Sequence, residues 1–248
     1  MRKIIICIFF LLFFSCVLRI SGIFAQTHSG YSYKPNWYIN TGEKSSADIF
    51  DSLHLGKLGL GRVIFDYAML GYRNFKTKGI LGNNQILSII DFSMPSSKKR
   101  LYVLDMKNYR LLFHTYAAHG RNSGTANALY FSNEPESFKS SVGFYLTGGT
   151  YTGKHGYSLR LKGYEAGFND NAEERDIVMH SADYVSEAII KQQGYIGRSL
   201  GCPALAPEIY KDVIQKIQNK SCLFMYGNYG QYIENSKLLK QKIKLNNP

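Results

Sequence analysis

The segment Arg198-Ser199-Leu200-Gly201-Cys202-Pro203 holds the residue of this chain best suited to covalent chemistry, a cysteine between glycine and proline. Glycine permits a sharp turn and close approach of a ligand to the backbone. Successive N–H groups at such a turn can face an anion. A thiolate attacking a carbonyl needs donors of that kind, because the oxyanion forms within their reach. Pro203 stiffens the exit. His180 lies upstream in Ile177-Val178-Met179-His180-Ser181, at the end of an apolar run where a side chain can emerge into a cleft. An imidazole there can take the thiol proton. The competing reading of His180 is a structural histidine.

The other polar candidates carry less. His155, between Lys154 and Gly156, reads equally as a substrate contact lining the cleft or as a loop histidine. His114 and His119 are five residues apart, which does not align them on one strand face. No pair among these histidines has the spacing of a zinc site, so no metal is expected. Glu173-Glu174-Arg175-Asp176 reads as a solvated turn, with Asp176 able to orient a group near His180. Tyr151 and Tyr157 read as sheet packing. Cys202 and Cys222 are the cysteines beyond the leader. A disulfide between them would close a loop of about 20 residues. Against it, Cys222 opens the apolar run Leu223-Phe224-Met225 and reads as a small buried hydrophobe.

The elements that must position these groups read as strands more than helices. Ile86 to Phe92, Leu101 to Met106 and Arg110 to Ala117 follow one another with short links, the last through a turn at Lys107-Asn108, and predict an antiparallel meander. Further strands are expected at 128–131, 143–146, 157–161, 177–179 and 222–226. Helices fit Pro207 to Gln218 and Ser186 to Gln192. Helical spacing over Ala47 to Tyr72, broken by Gly56, Gly59 and Gly61, predicts two short helices. The fold class is therefore α+β, mainly β, with a few peripheral helices.

The N-terminus reads as an export signal. Arg2 and Lys3 precede an apolar run from Ile4 to Leu18, and Ile23-Phe24-Ala25 offers cleavage after Ala25. The run is about 15 residues, short of the roughly 20 of a membrane span. Arg19 keeps open the alternative of a retained anchor, and Cys16 a lipid attachment. Each places the rest of the chain outside the cytoplasm, in the periplasm or cell envelope. The formal charge is +12, of which Arg2, Lys3 and Arg19 carry three. Exported basic proteins meet anionic polymers or membrane surfaces, so transient membrane contact is expected and nucleic acid is not. The divisions are a signal over 1–25, a flexible leader over 26–46, a helical extension over 47–84, a catalytic domain over 85–230 and a basic tail over 231–248.

The active-site segment resembles that of L,D-transpeptidases of the YkuD-like family, in which a histidine is followed, after a spacer of this length, by Ser/Thr-His-Gly-Cys. His180, Ser199, Gly201 and Cys202 match. His119 to Gly124, Phe131-Ser132-Asn133, Gly153 to Arg160, Asn169 to Ala172 and Gly197 to Leu205 resemble the murein L,D-transpeptidase catalytic-domain branch. The resemblance runs from about Ile86 to Tyr226. It implies a mostly antiparallel β-sandwich and a cysteine that takes an acyl group from a peptidoglycan stem peptide. The acyl group then passes to an amine, giving a 3→3 cross-link, or to water. It also implies an oxyanion hole from the N–H groups of Leu200, Gly201 and Cys202, and no metal or organic cofactor. Ser199, Ser181 and His155 are the expected substrate contacts. Two positions depart from the pattern: Leu200 stands where the family has histidine, and Ala204 where it has Arg or Asn. Arg198 is the expected substitute cation for a substrate carboxylate. Two other readings stay open. One is a cysteine L,D-carboxypeptidase or endopeptidase that hydrolyses stem peptides or wall-lipoprotein links. The other is a catalytically silent wall-binding domain.

Overall fold

The computed structural model describes residues 44–240; the signal, the leader up to residue 43 and the last eight residues lie outside it. Eight strands follow one another in a single hydrogen-bonded order, β3-β2-β1-β8-β4-β5-β6-β7. They are β1 (Ile86–Asp91), β2 (Leu101–Asp105), β3 (Arg110–Thr115), β4 (Gly143–Gly153), β5 (Gly156–Gly163), β6 (Val178–Ser181), β7 (Ala204–Leu205) and β8 (Cys222–Tyr226). Most neighbours are antiparallel; β1 with β8 and β6 with β7 are parallel. The mainly β, mostly antiparallel architecture is thus present, with few helices.

The expected meander is β1-β2-β3. Its second link turns where the carboxylate of Asp105 accepts the N–H groups of Lys107 and Asn108. Every residue of β1, β2 and β8 is buried, as in a sheet covered on both faces. The two helices read from the broken periodicity are α1 (Ser46–Ser52), capped by Ser45, and α2 (Arg62–Thr77). Phe65, Ala68, Met69, Tyr72 and Phe75 of α2 recur every three or four residues and bury into the same core as the strands. Gly71 lets the helix approach that closely, since a Cβ there would sit 2.1 Å from the Phe144 ring. Phe144 in turn stacks on Phe224 at 4.3 Å.

Several expectations differ in extent, among them the strand at 143–146, which continues to Gly153 as β4. Residues 128–131 form no strand: the N–H groups of Leu129 and Tyr130 both donate to the Ser123 carbonyl, Leu129 and Tyr130 point outward, and only Ala128 and Phe131 are buried. The helix from Pro207 begins later, as α4 (Tyr210–Ile217), because residues 207–209 form a turn; α3 (Glu187–Gln193) starts after its Ser186 cap as expected. In the segment read as a basic tail, α5 (Gly230–Asn235) and α6 (Lys237–Lys240) bury Tyr232 and Leu238. Buried Glu165 accepts from the Phe144 N–H and from the Tyr232 and Ser236 hydroxyls, tying these helices to the sheet.

Candidate active site

The Cys202 turn rests on a buried polar foundation. Arg100 is fully buried, donating to the carbonyls of Ala117 and Met94 and to Nδ1 of His119 at 2.7 Å. Nδ1 of His119 therefore accepts, and its Nε2–H faces the Gly124 carbonyl. Burial and the Arg100 charge hold the His119 pKa down at about 4, so this imidazole stays neutral. Its own carbonyl accepts the Ser199 N–H, and the Ser199 carbonyl accepts the Arg121 N–H. One short parallel bridge, Gly120 with Ser199, thus docks the cysteine segment on the His119–Gly124 segment.

Ser140 completes the foundation. Its hydroxyl accepts from the Gly120 N–H at 3.0 Å and donates to the Gly201 carbonyl at 3.1 Å, while its N–H reaches Ser123 Oγ. Buried backbone groups left unpaired would cost about 1–3 kcal/mol each. Gly201 has φ 128°, and a Cβ there would lie 2.9 Å from the Lys139 carbonyl, so both conformation and space call for glycine.

The Ser199 side chain builds the turn. Its buried hydroxyl accepts from the Gly201 N–H at 3.0 Å and donates to the Cys202 carbonyl at 2.7 Å. It therefore does not stand open to substrate as expected. The same bond corrects the expected oxyanion hole: the Gly201 N–H is already committed. The N–H groups of Leu200 and Cys202 have no other residue's acceptor among the described residues. The Leu200 side chain is 57% exposed at the rim.

Parallel pairing of His180 with Ala204 brings Cys202 alongside Val178, two residues before the histidine. The Val178 N–H reaches Cys202 Sγ at 3.4 Å, and Sγ donates to the Asp176 carbonyl at 3.5 Å. Cys202 and His180 are close along one strand pair and are not hydrogen-bonded to each other. Burial pushes the Cys202 thiol up, partly offset by the Val178 N–H and by Arg175. The resting group is a thiol.

His180 Nδ1 lies 2.8 Å from the Ser181 carbonyl. A carbonyl only accepts, so Nδ1 carries the proton and Nε2 keeps its lone pair. Ser181 thus orients the imidazole through its backbone. Burial lowers the His180 pKa first; the Ser181 carbonyl raises it and His155 lowers it. Exposed His155, at the β4–β5 turn, stacks on His180 with ring centroids 4.4 Å apart, so the structure does bring these two residues together.

Arg198 is placed elsewhere. It is exposed, with Nη1 3.3 Å from the carbonyls of Arg121 and Gly124, which hold it over the bridge segment. Arg175 is half-buried rather than in a solvated turn, its guanidinium donating to the Ser132 and Lys139 carbonyls and to Ser137 Oγ. No spacing signal marks it, because its partners come from residues 132–139. Both cysteines are free, and Cys222 is fully buried in β8, so the disulfide reading is not realised in this structure.

The family profile YkuD_2, L,D-transpeptidase catalytic domain, matches residues 57–226. No curated protein matches the chain. Solved structures that resemble it include an L,D-transpeptidase from Mycobacterium smegmatis, with 13% identity, TM-score 0.36, and 58% of this chain and 59% of that one covered. L,D-transpeptidase 1 from Mycobacterium tuberculosis has 13% identity and TM-score 0.33, covering 57% of this chain and 62% of that one. An L,D-transpeptidase from Stackebrandtia nassauensis has 14% identity and TM-score 0.36, covering 68% and 69%. The chain spans about three-fifths of the first two of these proteins. The profile takes in α2 and the whole run from β1 to β8, including the Cys202 turn and His180, and on that match the chain belongs to the L,D-transpeptidase catalytic domain family.

Proposed function

We propose that this protein is an exported peptidoglycan L,D-transpeptidase that works through a thioester on Cys202. The observation that carries the reading is a partly buried thiol just before β7, set beside β6, whose His180 imidazole has its tautomer fixed by the Ser181 carbonyl, in a chain of this family.

The resting pair is thiol and neutral imidazole. Cys202 leaves the Asp176 carbonyl and gives its proton to His180 Nε2. The thiolate attacks the carbonyl of the bond between the third and fourth stem residues. Negative charge develops on that oxygen where the N–H groups of Leu200 and Cys202 can meet it. The intermediate collapses to an acyl thioester, and His180 returns its proton to the departing amine of the D-amino acid. An acceptor amine then attacks the thioester, its proton passes to His180, and the cysteine leaves as the restored thiol. Water in place of the amine gives a shortened stem. The export signal read in residues 1–25 supports a site of action in the envelope, where this substrate lies.

A carbapenem tests the thioester chemistry without needing an acceptor. Its strained lactam presents a carbonyl to the same thiolate, and the ring-opened amine stays tethered. The expected result is a mass increase of one drug molecule, mapped by peptide digestion to the fragment holding Cys202 and absent in Cys202→Ala. An adduct on another residue, or none at millimolar drug with protein that turns over stem peptides, counts against the proposed site.

A further inference from the structure

The guanidinium of Arg175 lies directly under the Cys202 turn. Nη1 donates to the Ser132 carbonyl at 2.7 Å; Nη2 donates to the Lys139 carbonyl at 2.7 Å and to Ser137 Oγ at 3.3 Å. Nη2 is also 3.5 Å from where a Cβ on Gly201 would stand. The backbone just after Arg175 holds the thiol, through the Asp176 carbonyl and the Val178 N–H. All three acceptors of the guanidinium are neutral, and no carboxylate lies within salt-bridge distance of it among the described residues. A half-buried cation with no carboxylate in contact is costly to keep, and Glu134 acts on it only from beyond salt-bridge distance. Its charge is therefore available to an anion that forms beside it.

We infer that Arg175 is the cation that stabilises the Cys202 thiolate, and that the carboxylate of its neighbour Asp176 opposes it, so that this one turn sets how readily Cys202 ionises. The inference rests on Cys202 being the nucleophile proposed above. The electrostatics agree in sign: Arg175 draws the thiol toward ionisation and Asp176 away from it. Asp176 is exposed and holds φ 51°, a left-handed conformation that Asp and Asn tolerate better than most residues. The remaining titratable groups of this surround are Tyr184, from the loop after β6, and Tyr145 and Glu134, which act on Arg175. Burial and the Cys202 charge push the Tyr184 hydroxyl up to about 12, so it stays neutral through the pH range of interest. His180 lies beyond, neutral above its own lowered pKa, with the exposed His155 ring stacked on it.

A purely structural role for Arg175 is the competing account, since it ties residues 132–139 to the turn. Two adjacent charges of opposite sign separate the accounts. The measurement is the rate of Cys202 alkylation by iodoacetamide against pH on the full chain, with the site assigned by peptide mass spectrometry. Loosened packing hydrates the thiol and lowers the midpoint, whereas loss of the cation's field raises it, so the direction of the Arg175→Gln shift separates the two. Arg175→Gln is expected to raise the midpoint by about 1 pH unit, making alkylation about tenfold slower below the wild-type midpoint. Arg175→Lys should recover most of that shift, and Asp176→Asn should lower the midpoint. Unchanged midpoints, or shifts of Arg175→Gln and Asp176→Asn in the same direction, would overturn the inference. If Arg175→Gln does not fold, Asp176→Asn decides alone: a lowered midpoint supports it, and an unchanged or raised one refutes it. Alkylation needs no stem peptide, so a failure of the transpeptidase reading leaves this result readable, and a flat midpoint in an active enzyme removes only Arg175.

Discussion

Cys202→Ala, and equally Cys202→Ser, is expected to abolish turnover of stem peptides while the protein stays folded. Among its polar contacts the side chain leaves two long ones behind, to the Val178 N–H and the Asp176 carbonyl, and it is small at the edge of the core. The turn itself is held by Ser199, Ser140 and the bridge to Gly120, none of which involves the sulfur. Serine fails because its hydroxyl is far less acidic than a thiol and leaves poorly from the acyl intermediate. Cys222 cannot substitute: it is fully buried between Leu87 and Leu146, and burial keeps its thiol protonated. Product chromatography with unchanged far-ultraviolet circular dichroism is the check. Residual turnover in Cys202→Ala together with an inactive Cys222→Ala would show that the nucleophile is the other cysteine.

His180→Ala is expected to slow acylation at neutral pH by about 10²–10⁴, the usual worth of a positioned general base. The pH dependence sharpens this. The Cys202 thiol is raised and the His180 imidazole lowered, so proton transfer starts from the neutral pair. The neutral imidazole is the working base, and it is lost only as pH falls through a pKa below the ordinary histidine value. Wild-type acylation should therefore hold at mildly acidic pH and fall below it. In His180→Ala the plateau at mildly acidic to neutral pH should vanish, the rate instead climbing with pH toward the raised thiol pKa, so the deficit narrows toward high pH, where hydroxide ionises the thiol. Single-turnover acylation from pH 5 to 10 measures both. A near-normal rate at pH 7 with the acid limb intact would remove His180 from the mechanism.

The parts legible in the sequence were those governed by local rules. The β1-β2-β3 meander follows from β-rich runs and a tight turn, and the Ser186 cap marks the start of α3. Cys202 and His180 stand out because few residue types can act as nucleophile and base. What stayed hidden depends on contacts distant in sequence. Arg175, set among three acidic residues, reads as solvated until residues 132–139 fold over it. Arg198 sits closer to Cys202 in sequence, yet backbone carbonyls near residue 121 capture it. Ser199 carries a motif position but spends its hydroxyl on the turn, and so removes Gly201 from the expected oxyanion hole. The stretch 128–131 has the composition of a strand and no partner strand, and the Leu129 and Tyr130 N–H groups go to the Ser123 carbonyl instead.

The most direct test of the central claim is mass spectrometry of purified tetrapeptide muropeptides incubated with the full chain. The account predicts loss of the terminal D-amino acid together with new dimers joined through the third residues of two stems, both absent with Cys202→Ala. Shortened monomers without dimers would assign water as the acceptor and make the protein a hydrolase. Unaltered muropeptides, from protein whose Cys202 is free and reactive, would contradict the account outright.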